Sequence, residues 1–479
     1  MLFSSLEFAF FLPLLFVLIW LLNRNSLQLQ NCVLLIASYF FYACWDWRFL
    51  FLLAFSTGLD FYTGSKIHKS KNLKTRRIWL GLSVVINLGF LGFFKYFNFF
   101  IENFSVLLES FGLHAHASTL NIILPVGISF YTFHGLSYVF DIYNKKIEPC
   151  ASVVSYSLFV SFFPLLVAGP IERATHLLPQ LEKPRTWSYP KAVDGLKQIL
   201  WGLFKKIVIA DNCANYSNLI FNHSSDYSGS TLFLGAVFFA FQIYGDFSGY
   251  SDIALGTARL LGIELLRNFS FPYFSRDIAE FWRRWHISLT SWFRDYLYIP
   301  LGGSRLGMAR TVLNTFIIFL ISGFWHGANW TFIAWGVLNA LYILPSILLK
   351  RNRTHLDTVA NGKIFPNIRD AVNILVTFLL TVFAWIFFRS ENLVQAFAIV
   401  GEVFSASLFL PPLLPSKMLC LLLLFFLCIE WIGRSNAYAI ESTGNTWNRV
   451  FRWSFYYVLV LAIFLLRPVQ EQPFIYFQF

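Results

Sequence analysis

The sequence predicts an all-α, polytopic integral membrane protein, with roughly a dozen transmembrane helices and additional in-plane and re-entrant helices. Three observations carry that prediction. Of the 479 residues, 57% are hydrophobic and only 13% are charged, about half the charged share of a soluble globular chain. The mean hydropathy is +0.59, so there are too few polar side chains to cover a water-facing surface. The apolar residues also gather into runs of spanning length, for which roughly 20 residues are needed.

The formal charge of +12 comes from 37 Lys and Arg against 25 Asp and Glu. These basic residues sit in short clusters between apolar runs, the pattern of cytoplasmic membrane loops, so no nucleic-acid partner is expected. Six cysteines, Cys32, Cys44, Cys150, Cys213, Cys420 and Cys428, are scattered without a C-x-x-C pair. That argues against a disulfide framework or a zinc site, and no metal is expected.

The first apolar run, 6–22, has no basic residue before Arg24 and no small-residue cleavage site after it, so it reads as a retained membrane helix. Further candidate spans cover 30–45, 48–64, 78–101, 121–141, 152–168, 193–210, 231–247, 311–325, 330–349, 370–388, 395–410, 417–433 and 451–467. Two stretches are broken by Gly and Pro, at Leu124-Pro125-Val126-Gly127 and from Phe163-Pro164 through Gly169-Pro170. Such segments re-enter or line a cavity rather than crossing. The whole chain reads as a single domain, with N-terminal helices over about 1–120, a core over about 121–350 and C-terminal helices over about 351–479.

Orientation follows from the basic loops. Lys66, Lys69, Lys71, Lys74, Arg76 and Arg77 form the densest cluster, which the positive-inside rule places in the cytoplasm, with the N-terminus outside. Arg24 agrees with that assignment, and Lys350, Arg351 and Arg353 mark a second cytoplasmic loop. No internal repeat is evident, which counts against a transporter built from inverted repeats.

The central third departs from plain hydrophobicity. Asp246, Asp252, Arg259, Glu264, Arg267, Arg276, Asp277, Glu280, Arg283, Arg284, His286, Arg294 and Asp295 fall within one stretch, interleaved with Trp282, Trp285 and Trp292. At about 2.5–3.5 kcal/mol per charged residue at a helix centre, it belongs at the interface or in a polar cavity. Over 280–296 the aromatics at 281, 285, 292 and 296 share one face of a helix, which predicts an in-plane amphipathic helix. Its Trp and Arg residues read as interfacial anchors, whereas an anchor gains little from the imidazole of His286.

His326 stands inside an apolar run, IIFLISGFWHGANWTFIAW over 317–335. An ionisable group at that depth is a functional candidate, and a packed structural histidine is the alternative reading. Gly323 and Gly327 flank it at the G-x-x-x-G spacing of close helix packing, and Asn329 is expected three residues on along the same face.

Trp325-His326-Gly327-Ala328-Asn329-Trp330, preceded by Phe281-Trp282-Arg283-Arg284-Trp285-His286-Ile287-Ser288-Leu289, resembles the signature of membrane-bound O-acyltransferases, in the bacterial branch that acetylates alginate. Supporting stretches are Leu124–Phe130, Ala168–Arg173, Tyr244–Asp252 and the closing Phe474-Ile475-Tyr476-Phe477-Gln478-Phe479. The resemblance implies a ring of helices around a central tunnel joining a cytosolic donor to an exterior acceptor. It implies that His326 and His286 are the catalytic pair, with Asn329, Trp325, Asp246, Asp252, Trp285, Arg283 and Arg284 lining the substrate path. It further implies acetyl-CoA as donor substrate with no bound cofactor, and a polysaccharide acceptor such as alginate, cellulose or peptidoglycan. A periplasmic esterase-like partner and a place in the bacterial inner membrane, in contact with its lipid, are implied as well. D-alanylation of teichoic acid is the alternative within the family. A polytopic transporter conducting through Asp246, Asp252, His286 and His326, and a scaffold for a polysaccharide synthase, are the alternatives outside it.

Overall fold

The computed structural model describes residues 1–22, 26–113, 119–120, 122–167, 169–413, 417–468 and 472–475. Arg24, Ala168, residue 121 of the fifth candidate span and residues 476–479 of the closing motif lie outside the described residues. Among the described residues every regular element is helical, as backbone in lipid must satisfy its own hydrogen bonds. The chain divides into two compact units, 1–192 with 257–266, and 193–256 with 267–479.

The first unit holds α1 (Leu6–Val17), α2 (Leu27–Asp46), α3 (Phe49–Lys69), α4 (Leu73–Leu91), α5 (Phe97–Ser110), α6 (Ile128–Tyr143), α7 (Val153–Ser161), α8 (Phe163–Leu166) and α9 (Ala174–Leu181). Ser5, Ser26, Asn72 and Ser152 each accept a backbone N–H from the first turn that follows, satisfying donors a helix start leaves orphaned. In lipid the hydrophobic effect cannot join helices, so close packing and polar contacts do. Asp60 of α3 accepts from Ser83 at 2.6 Å and Asn87 at 2.8 Å of α4. Gly135 of α6 packs so closely that an added Cβ would fall 1.9 Å from the Asp60 carboxylate.

The second unit holds most of α10 (Tyr189–Leu203), α11 (Asp211–Asn222), most of α12 (Gly229–Leu260), α13 (Ile278–Arg284), α14 (Ile287–Phe293), α15 (Met308–His326), α16 (Trp330–Leu348), α17 (Ile368–Arg389), α18 (Leu393–Val403), α19 (Lys417–Ile432), α20 (Thr443–Thr446) and α21 (Arg449–Leu465). α15 and α16 form a tight antiparallel hairpin. A Cβ on Gly323 would meet the Phe332 carbonyl at 2.3 Å, and one on Gly336 the Phe319 carbonyl at 2.4 Å. The small-residue contact expected of Gly323 and Gly327 is therefore made by Gly323 and Gly336, while Gly327 lies against the Phe332 ring.

Among the described residues six helical stretches are long and apolar enough to cross a membrane: Leu27–Asp46, Leu73–Ser110, Gly229–Leu260, Met308–His326, Trp330–Leu348 and Ile368–Arg389. Other expected spans form shorter or more polar elements. α19 has 16 residues and α21 has 17. The expected span at 193–210 becomes α10 followed by π-turns over 204–210 that bury Lys205 and Lys206.

Candidate active site

The segment 280–296 is not one amphipathic helix. α13 ends at Arg284, and His286 adopts the left-handed conformation (φ 42°, ψ 54°) before α14 begins. Such a conformation costs an ordinary residue roughly 1–2 kcal/mol, although His tolerates it better than most. The neighbouring chain holds the break open. Ile287 N–H donates to the Asn268 carbonyl at 2.8 Å, Ser288 Oγ to Asn268 Oδ1 at 2.5 Å, and Ser270 N–H to the Arg284 carbonyl at 3.0 Å. Helical periodicity read straight through the bend, and the aromatics it placed at an interface are mostly interior, for Phe281, Trp285 and Trp292 are all buried.

His326 is the last residue of α15. The chain reverses over 327–329, so Asn329 is not on the same helical face as His326, as the sequence pattern had suggested. It caps α16 instead, its Oδ1 accepting from Thr331 N–H at 3.0 Å and its Nδ2 donating to the Glu391 carbonyl at 2.7 Å.

The two histidines nonetheless meet. A cavity of about 430 Å³ is lined by Trp282, Trp285, His286, Leu289, Thr290, Phe293, Ile318, Phe319, Ser322 and His326. The Trp325 ring lies against both imidazoles, 5.9 Å from that of His286 and 4.8 Å from that of His326. Trp335 and Phe388 present edges to His326 at 5.1 and 5.2 Å, and Phe247 packs edge-on to His286 at 4.7 Å. These apolar walls lower the local dielectric, which strengthens electrostatic interactions inside. His286 lies outside the membrane-spanning helices, and burial pushes its imidazole down to about 3. It is therefore a neutral group and a weak base, suited to orienting or polarising a partner rather than to taking a proton.

The remaining predicted residues part company. Asp252 lines a second, polar cleft of about 350 Å³, paired with Lys205 at 2.5 Å and accepting from Gln198 at 2.9 Å. Asp246 lines neither space; it pairs with Lys206 at 2.8 Å and accepts from Ile475 N–H at 2.7 Å. Arg283 and Arg284, expected as interfacial anchors on the substrate path, turn to the chain's own loop. Arg283 donates to the carbonyls of Asn352 and His355, and Arg284 to the carbonyl of Asp357 and the carboxylate of Glu280. Glu280 is buried and shared between Arg276 and Arg284. Arg284→Ala should therefore lower thermal stability and leave the donor KM unchanged, since it strips a buried carboxylate of one partner. A raised donor KM with full stability would return this arginine to the donor path.

Sequence reading missed Lys205, Lys206 and Glu430, although an ionisable group within an apolar run was the available signal. Glu430, on α19, accepts from Trp201 at 3.1 Å and from the Tyr244 hydroxyl at 2.6 Å. It missed Asn268 entirely, because nothing in sequence marks an asparagine whose partners are 19 and 20 residues away.

A family model described as the membrane-bound O-acyltransferase family matches residues 150–390. The chain is 36% identical to a probable alginate O-acetylase AlgI of Pseudomonas putida, over 100% of both chains. It is 39% identical to the probable alginate O-acetylase AlgI of Pseudomonas aeruginosa, over 85% of this chain and 75% of the other. To a peptidoglycan O-acetyltransferase of Helicobacter pylori it is 36% identical, over 84% and 79%.

Proposed function

The chain belongs to the membrane-bound O-acyltransferase family, and from that premise we propose that it transfers an acetyl group from a cytosolic thioester such as acetyl-CoA to a hydroxyl of an extracytoplasmic polysaccharide. The observation that carries this reading is the single aromatic-walled cavity onto which His286 and His326 both open. His326 takes the acceptor hydroxyl proton as that oxygen attacks the thioester carbonyl carbon. The tetrahedral adduct collapses with cleavage of the carbon–sulfur bond, and the departing thiolate receives the proton. His286 stays neutral and orients or polarises the carbonyl. Asn329 has no part in this scheme, because its side chain is committed to the α16 cap and to Glu391.

Charge supports the direction of transfer. Arg305 and Arg310 lie at the start of α15, and Lys350, Arg351 and Arg353 follow α16, so the positive-inside rule puts the open end of this hairpin in the cytoplasm and the His326 turn toward the exterior. The similarity to alginate and peptidoglycan O-acetylating proteins supports a polymer acceptor. A periplasmic esterase-like partner would complete transfer when the polymer itself does not reach the turn. A bacterial cytoplasmic membrane is the setting this scheme requires.

Membrane vesicles supplied with radiolabelled acetyl-CoA on the cytoplasmic face, and alginate or peptidoglycan fragments on the other, test the reading. Label should accumulate on the polymer, or on a partner protein, only with the wild-type chain. The topology is testable separately. With the six native cysteines replaced by serine, a Lys71→Cys variant in whole cells should resist an impermeant thiol reagent and become reactive after permeabilisation; labelling of intact cells would reverse the orientation.

A further inference from the structure

Asn268 stands between the two spaces described above. It is 1% exposed and belongs to the lining of the polar cleft, with Lys205, Tyr244, Ser248 and Asp252. Its carbonyl and its Oδ1 are both committed to the first residues of α14, Ile287 and Ser288, which directly follow the left-handed His286. Its Nδ2, buried, has no hydrogen-bond partner among the described residues. A buried amide N–H without an acceptor forfeits a hydrogen bond that most such groups make, so the cleft lacks one acceptor that an occupant can supply. Along its wall Lys205 pairs with Asp252 at 2.5 Å and Glu430 accepts from two neutral donors, whereas Arg267, also on the lining, forms no ion pair among the described residues. The missing acceptor is thus an oxygen of an occupant, and Arg267 on the same wall suits an occupant that also carries an anionic group.

The cleft also lies on the donor side. Ala437 and Tyr438 line it, and Arg434, just before them, donates to the carbonyls of Val359, Ala360 and Lys363, shortly beyond the basic 350–353 loop assigned to the cytoplasm.

We propose that Asn268 is a positioning residue for acyl transfer: its two oxygens fix the bend that aims His286 into the reaction cavity, and its amide N–H takes an oxygen of the donor held at the polar cleft. The first half rests on the participation of His286 in the transfer.

Two variants separate the roles. Ser288→Ala removes the side-chain tie to the bend, keeps the backbone tie from Ile287, and leaves the amide in place. It should lower kcat about 5- to 10-fold, the worth of one hydrogen bond, with the KM for acetyl-CoA unchanged. Asn268→Ala removes that side-chain tie and the amide together, and should lower kcat to the same extent while raising the KM for acetyl-CoA about 5- to 10-fold. In a His286→Ala background neither substitution should lower kcat further, because a residue acting through another is non-additive with it. Losses in kcat that multiply fully with His286→Ala overturn the positioning role, and an unchanged acetyl-CoA KM in Asn268→Ala overturns the donor contact. If Asn268→Ala fails to fold, Ser288→Ala tests the bend, and Asn268→Ser, which keeps a hydroxyl oxygen, loses the amide and adds no charge, tests the donor contact by the same rise in acetyl-CoA KM. A wild-type chain that transfers no acetyl group from acetyl-CoA defeats the functional reading itself, a result distinct from either of these.

Discussion

His326→Ala should lower kcat by about 10²- to 10⁴-fold, the range that general acid–base catalysis contributes, while the protein still inserts and folds. The imidazole lies on a cavity of about 430 Å³, so removing it enlarges a space that already exists instead of opening a void in dense packing. The α15–α16 turn should survive as well. Its geometry depends on the close approach of Gly323 to Phe332 and on the Asn329 cap, neither of which uses the imidazole. His286→Ala should cost less but remain severe, because an orienting group contributes up to as much as the base. Both side chains open on one cavity and share Trp325 as a neighbour, so the double variant should be little worse than His326→Ala. Turnover of radiolabelled acetyl groups per folded molecule is the measurement. Losses that multiply in full would mean the two histidines act in separate steps or separate places.

The membrane class and the family were legible because they rest on composition and on short ordered motifs, both of which survive any detail of packing. His286 and His326 stood out as candidates for the same reason, each imidazole being an ionisable group where an apolar or amphipathic helix has no use for one. What failed was extrapolation of helical phase. The 3.6-residue period carried Asn329 onto the face of His326 and carried four aromatics along one helix, yet the chain reverses after Gly327 and bends at His286. No propensity marks a left-handed histidine whose flanking residues are held by hydrogen bonds to Asn268 and from Ser270. The arginines failed differently. Their side chains look alike whether they face phosphate or a loop carbonyl, and only coordinates show that Arg283 and Arg284 serve the 352–357 loop.

Lys206→Met should be the most destabilising single change outside the catalytic cavity. The lysine is 1% exposed, and its ammonium reaches Asp211 at 2.7 Å, Asp246 at 2.8 Å and the Gln472 carbonyl at 3.0 Å, which employs all three of its N–H donors. Methionine fills the stem but leaves two buried carboxylates without that cation. Breaking a buried ion pair by removing one partner costs about 3–5 kcal/mol, because the remaining charge stays desolvated and uncompensated. The effect should extend to the reaction. Asp246 also accepts from Ile475 N–H at 2.7 Å, and the adjacent Phe474 packs on Tyr250 at 4.7 Å and on Phe247 at 6.1 Å. Phe247 in turn lies edge-on to His286 at 4.7 Å, so releasing the C-terminal segment loosens the wall behind that imidazole. Unfolding of the detergent-solubilised protein by a denaturing detergent should show the loss, and turnover per folded molecule should fall with it. The combination of Lys206→Met with Asp211→Asn and Asp246→Asn should recover much of the stability, since neutral amides cost far less to bury than lone carboxylates. Recovery of stability without recovery of turnover would show that the cluster serves the reaction chiefly by its charge. A Lys206→Met protein as stable as wild type would show that these carboxylates are hydrated or protonated once the ammonium is gone, and that the ion pairs do not hold the fold.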